Sequence, residues 1–242
     1  MWGFPRRTLD LSIVWRVSSP EVNSVITIDG PTGSGKSTVA RILAGRLNYR
    51  YLDTGAMYRA IGLAILRAGV DLENKEEVER ISKGVDIRII HQGEEAKVFL
   101  GEEDVTRAIR EPFIDMMASN ASTLQPVRRI MTRLQRKIGS QGPLVAEGRD
   151  MGTVVLPKAA KKFYLDASIE VRVERRFQER IKRGEPTSRE RVKEDLIKRD
   201  AQDMNRRYAP LKPAEDAMVI DTTHLSLEQV VEMIFHEITT KG

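Results

Sequence analysis

The sequence predicts an α/β fold, a parallel sheet with helices on its faces. Two observations carry that prediction. Short apolar runs recur along the chain, each ending in an acidic residue followed by small residues, and longer segments with helical spacing lie between them. Strands that are apolar throughout are buried on both faces, and alternation with helices makes their neighbours parallel. Such sheets gather their sites at the carboxyl ends of the strands, where these acidic and small residues fall.

Taken in order, VITIDG (25–30) is the first strand and runs into a glycine-rich turn and a helical segment over 38–47. YLDTG (51–55) is the second strand. VDIRII (85–90) then alternates at period two, HQGEE supplies a turn, and AKVFL (96–100) runs back, which predicts a β-hairpin insert on the main sheet, either a small flap or subdomain or a decoration. Helical spacing returns over 127–138, followed by LVAEG (144–148) and FYLDAS (163–168) as strands, a helix over 169–181, and MVIDTT (218–223) as the last strand. SLEQ (226–229) reads as a capping box ahead of a final apolar helix.

At 242 residues, 40% hydrophobic and 31% charged, without repeats or low-complexity tracts, the chain fits one globular unit. The absence of cysteine excludes disulfides, thiolate metal sites and a cysteine nucleophile, and fits a reducing, cytoplasmic location. His91, His224 and His236 are too scattered to suggest a metal cluster. No apolar run approaches the roughly 18 to 20 residues of a membrane span, so no membrane partner is expected. The net charge of +5 allows a nucleic-acid surface or arginines collected around a polyanionic small molecule. Forty basic residues against thirty-five acidic ones, with no basic block, favour the small molecule and argue against nucleic acid. A monomer is expected. Residues 1–24 read as a non-essential N-terminal extension: Asp10 and Arg16 interrupt its short apolar stretch and no small-residue cleavage site succeeds it, which argues against a signal peptide. A frayed tail and translation starting near Val22 are the two readings of it.

Residues 30–37 satisfy G-x-x-x-x-G-K-S in the strand-to-helix context that such a loop needs. Glycines let successive backbone N–H groups point at an anion, and the helix dipole adds to the pull. Gly30, Pro31, Thr32, Gly33, Ser34, Gly35, Lys36, Ser37 and Thr38 are therefore the expected nucleoside triphosphate loop, with Lys36 reaching the β- and γ-phosphates and Ser37 ligating Mg²⁺. The chain downstream has no N-K-x-D for reading guanine and no strand ending in the paired acids of a mechanical ATPase. Instead it carries arginines and hydroxyls on other strand ends: DTGAMYR (53–59), EGRDMGT (147–153) and RDAQDMNRR (199–207), the last with Arg199, Asp203 and Arg206 on one helical face. Arginine forks suit phosphates and base edges, although each cluster alone also fits a solvated, salt-bridged helix face.

ITIDGPTGSGKST, YLDTGAMYR, EGRDMGTVV and RDAQDMNRRYAPL resemble, in order and spacing, the bacterial cytidylate kinases, from about residue 25 to the C-terminus. GRDMGT and D-x-N-R-x-x-A-P-L are not shared by adenylate, guanylate or thymidylate kinases. The resemblance implies transfer of the γ-phosphoryl group of ATP to CMP or dCMP with Mg²⁺, on a five-stranded parallel sheet of the P-loop NTPase type. It also implies an arginine-bearing LID near 172–190 and a nucleotide-monophosphate part near 55–125, enlarged by an insert where the hairpin falls. By the same resemblance, Thr54, Arg128, Asp150 and Arg206 would contact cytosine, Ser119, Arg199 and Asp203 the ribose, and Arg59 and Arg149 the acceptor phosphate. Some relatives have serine at Thr54 and others aspartate where Glu147 stands, which leaves Glu147's role toward a Mg²⁺-bound water open. Arg172, Arg175, Arg176, Arg180 and Arg183 are the available LID arginines; Arg172, Arg176 and Arg180, at i, i+4 and i+8, are selected together with Lys36 and Arg149 as the catalytic set. Gly184 reads as a helix C-cap or a hinge. The alternatives are a kinase of UMP or AMP, and a nucleotide-gated RNA- or ribosome-associated factor.

Overall fold

The computed structural model describes residues 24–92 and 95–240. The N-terminal extension lies outside the described residues, apart from Ser24. Five strands form the main sheet: β1 (Val25–Asp29), β2 (Arg50–Asp53), β6 (Leu144–Gly148), β7 (Lys161–Asp166) and β8 (Met218–Asp221). Their order is β2-β6-β1-β7-β8, with every pairing parallel. Apolar residues cover both faces of this sheet. Ile26 and Ile28 of β1, Val145 of β6 and Phe163 and Leu165 of β7 face one cluster with Val39 and Leu43 of α1 (Lys36–Leu47) and Val230 and Ile234 of α8 (Leu227–Thr239). Leu144 and Ala146 of β6 turn to the other cluster, with Met57 and Ile61 of α2 (Thr54–Arg67) and Met131 of α5 (Gln125–Gly139). This alternation along single strands is the period-two pleat of a sheet covered on both sides.

The predicted hairpin forms, but it does not join the main sheet. β3 (Ile87–Gln92) and β4 (Glu95–Leu100) pair antiparallel, and β5 (Glu103–Asp104) adds a third strand to make a separate sheet. Part of the predicted turn lies outside the described residues. The small sheet packs on α2, as does α4 (Pro112–Ala121), which approaches so closely that a Cβ on Gly62 would stand 3.1 Å from the Ala118 nitrogen. α3 (Lys75–Gly84) completes this segment.

After β6 the chain makes a short π-helical turn at Met151–Val155. After β7 it forms α6 (Ile169–Lys182) and α7 (Arg189–Asn205), which pack on each other. The final helix carries its capping box: the Ser226 N–H donates to Gln229 Oε1 at 2.8 Å and the Gln229 N–H to Ser226 Oγ at 3.1 Å. Among the described residues no helix is long and apolar enough to cross a membrane.

Candidate active site

The carboxyl ends of β1, β2 and β6 open onto one cleft of about 1400 Å³. The loop after β1 forms its floor. Gly30 is fixed there by close approach: a Cβ would stand 2.1 Å from the Leu165 carbonyl oxygen of β7, which no side chain tolerates. Gly33 and Gly35, at φ 82° and 91°, turn the backbone through the left-handed region into α1. Thr32, Gly33, Ser34, Gly35, Lys36, Ser37 and Thr38 line the cleft, while Gly30 and Pro31 stand behind it. Lys36 Nζ donates to the Pro31 carbonyl at 3.0 Å and Ser37 Oγ to Glu147 Oε1 at 2.9 Å. Both ionisable groups are buried. Burial, with Arg149 nearby, pulls the Lys36 ammonium down, and burial, reinforced by Asp53, pushes the Glu147 carboxyl up.

The opposite wall is a network of arginines and carboxylates. Asp150 accepts from Arg128 Nη2 and, at 3.3 Å, from Arg206 Nη2. Asp203 accepts from Arg149 Nε at 2.9 Å and lies 3.5 Å from Arg206. Arg149 Nη2 reaches across to Thr32 Oγ1 at 2.8 Å, tying this wall to the phosphate loop. Thr54 Oγ1 donates to the Glu147 carbonyl at 2.7 Å and Ser119 Oγ to Gln202 Oε1 at 3.0 Å. Arg59 lies 3.3 Å from Asp53, and Arg199, pushed down to about 10 by burial and by Arg149, has a buried Nε without a hydrogen-bond partner in the protein. Thr54, Arg59, Ser119, Arg149, Asp150, Arg199, Asp203 and Arg206 thus line the same cleft as the loop, and Arg128 is buried behind Asp150.

The expected LID set is split. Arg176 lines the cleft, but Arg172 and Arg180 do not, and Arg175 and Arg183 do. The reason is what each turn of α6 meets. Arg172, in the first turn, is buried beneath the loop, donating to the Ala167 and Thr32 carbonyls and to Asp200 at 2.6 Å. Arg180 is drawn aside to Asp195 of α7 at 2.8 Å. Helical phase alone does not distinguish these fates.

Other residues of the site carry no clear sequence signal. Asp29, at the end of β1, accepts from the Met151 and Gly152 N–H groups at 2.9 and 2.8 Å, holding the turn that presents Arg149 and Asp150; burial pushes its carboxyl up to about 6 against those two bonds. Its place at the end of an apolar strand is the one hint of it in the sequence. Tyr58 lines the cleft with a buried hydroxyl that has no hydrogen-bond partner in the protein, and the Arg128 guanidinium sits 5.8 Å from its ring centroid. From the insert side, Lys97, Thr106, Arg107 and Arg110 reach the cleft rim. Among the described residues, no group of three or more histidine or acidic side chains is placed to hold a metal ion.

Comparison with known proteins gives a consistent result. The cytidylate kinase family profile matches residues 26–240. The chain is 46% identical over 217 residues to the cytidylate kinase of Carboxydothermus hydrogenoformans, covering 90% of this chain and 98% of that protein. It is 45% identical over 210 residues to that of Thermotoga maritima, covering 86% and 94%, and 44% identical over 217 residues to that of Bacillus subtilis, covering 90% and 97%.

Proposed function

The chain belongs to the cytidylate kinase family, and from that premise we propose that its cleft transfers the γ-phosphoryl group of ATP to CMP or dCMP, giving ADP and CDP or dCDP. One observation carries the assignment of roles: a phosphate loop and an arginine-flanked carboxylate, Asp150, open into one cleft, so a triphosphate and a base-bearing acceptor fit side by side.

Phosphoryl transfer asks for positioning and charge neutralisation more than for covalent work by the protein. The loop N–H groups and Lys36 hold the donor phosphates. Arg59 and Arg149 hold the acceptor phosphate in line, and Arg176 and Arg183 neutralise charge from the α6 side. The network of Arg149 with Thr32 and Asp203 supports this division, since it fixes the acceptor arginine against the donor loop before either substrate is engaged. Ser119, Arg199 and Asp203 hold the ribose. Thr54, Arg128, Asp150 and Arg206 read cytosine, whose N4 donor suits a carboxylate where the O4 of uracil does not.

The paired oxygens of Ser37 and Glu147 suit a hard divalent cation, and Mg²⁺ bound with ATP would supply further neutralisation of the phosphates. The enzyme acts as a monomer in this reading, in the cytoplasm where free nucleotides are met. A coupled assay of ADP release with CMP, dCMP, UMP and AMP tests the reading. CMP and dCMP are the expected acceptors; equal turnover of UMP or AMP, or ATP hydrolysis indifferent to CMP, would overturn it.

A further inference from the structure

Positive charge is concentrated where the acceptor half of the cleft meets α6: Arg59, Arg176, Arg183 and Arg199 all line it. One carboxylate lies within the field of all four, although Arg59 also meets Asp53, Arg176 meets Glu179, and Arg183 meets Glu179 and Glu185. Asp115, on α4, pairs with Arg176 of α6 at 2.6 Å and lies 4.0 Å from Arg59 of α2. Burial opposes its ionisation, but Arg199, Arg176, Arg59 and Arg183 together hold its carboxyl below the usual carboxylate range. Its side chain is one-fifth exposed and forms part of the cleft wall, so this is no solvated surface pair. Any phosphate that engages Arg59 and Arg176 does so beside this carboxylate or in its place.

We propose that Asp115 is an internal competitor for the substrate phosphates, a fixed anion that weakens the cleft's hold on CMP by engaging Arg59 and Arg176. The inference rests on the reading of those arginines as phosphate ligands. Relieved of Asp115, the four guanidinium groups would keep fewer counter-charges and grip polyanions more tightly, and the product CDP carries one phosphate more than the acceptor. A carboxylate that retakes the arginines favours departure. Asp115 touches no reacting atom; it acts through Arg59 and Arg176. Removing one like charge from the neighbourhood of a phosphate, in a cleft still open to water, strengthens anion binding by about fivefold.

Calorimetric titration of CMP and of cytidine, which lacks the phosphate, into the wild type, Asp115→Asn and Asp115→Glu tests this. The expected result is that Asp115→Asn binds CMP about fivefold more tightly and cytidine unchanged, while Asp115→Glu, which keeps the charge, stays within about twofold of the wild type. Unchanged or weaker CMP binding by Asp115→Asn overturns the inference, as does equal tightening of cytidine and CMP. A residue needed only for packing would not tighten binding when replaced. Should the amide variant fail to fold, Asp115→Ser is titrated in its place with the same expectation. If the wild type binds cytidine as well as CMP, the reading of the arginines falls too; if it prefers CMP and the variants do not tighten, only the role of Asp115 is lost.

Discussion

Replacing Asp150 by asparagine separates base reading from scaffolding. The Asp150 side chain is 7% exposed and accepts from Arg128 and from Arg206, yet a carboxylate offers about four lone-pair sites, leaving capacity for a cytosine N4 donor. Asparagine keeps the volume and one acceptor oxygen but loses the charge that balances two buried guanidinium groups. Breaking a buried pair by deleting one partner costs about 3–5 kcal/mol, and the retained acceptor puts this substitution near 2–3 kcal/mol. At about 2–4 °C per kcal/mol for a chain of this size, Tm drops by about 4–12 °C. Losing a charge-assisted bond to N4 costs CMP about 1.5–3 kcal/mol, or roughly 10- to 150-fold in kcat/KM. UMP does not share that loss, because the amide can donate to O4 where the carboxylate could not. The CMP-to-UMP ratio of kcat/KM, measured by ADP release well below the variant's Tm, therefore shrinks by at least about tenfold. A stability defect lowers both numbers together, so the ratio isolates recognition. If CMP and UMP fall by the same factor in the folded variant, Asp150 only pairs arginines and the cytosine reading is wrong.

Lys36→Ala lowers kcat by about 10²–10³-fold while the calorimetric Kd for CMP changes little, because the ammonium meets the transferring phosphoryl group; an unchanged kcat refutes this. Arg172→Ala removes the partner of buried Asp200 and lowers Tm by about 6–20 °C, whereas Arg183→Ala leaves Tm nearly unmoved and lowers kcat about tenfold; the reverse pattern in paired melting and turnover measurements would return Arg172 to the catalytic set. Asp29 is raised from 3.8 to about 6, so its contribution to stability is fully present below pH 3.8 and is lost as pH rises through about 6. Urea unfolding of wild type and Asp29→Asn between pH 4 and 7 should accordingly show the wild type losing about 2 kcal/mol relative to the variant, and parallel curves would refute it.

The features legible in the sequence are those that lie close along the chain. The loop at 30–37 is legible because its strand, glycines and helix are contiguous, and the strand ends are legible because burial on both faces demands apolar runs. The acceptor residues come from a resemblance. Their spacing alone is equally compatible with solvated helix faces, and what distinguishes the two is tertiary: Arg128 and Asp150 meet from α5 and from the turn after β6. Arg172, Arg176 and Arg180 share a helical phase, but phase does not say that the first turn of α6 lies beneath Thr32 or that Asp195 waits on α7. β5 is two residues long, too short for any periodicity to announce. Tyr58 and Asp115 read as ordinary helix residues until the fold turns them toward the arginines of the cleft.

Among the described residues the strand made first is the middle one of the sheet, and this sets a constraint on synthesis. β1 pairs with β6 on one side and β7 on the other. Roughly 120 residues separate it from the nearer partner, and at about 10 residues per second a growing chain carries Ile26 and Ile28 without their sheet neighbours for on the order of ten seconds. Gly30 closes against the Leu165 carbonyl, so the phosphate loop has no template until β7 has left the ribosome. Nucleotide cannot rescue the first half of the chain during that interval, and ribosome-bound chains arrested before β7 should hold no ATP. A cell making this enzyme has to shield β1 by other means.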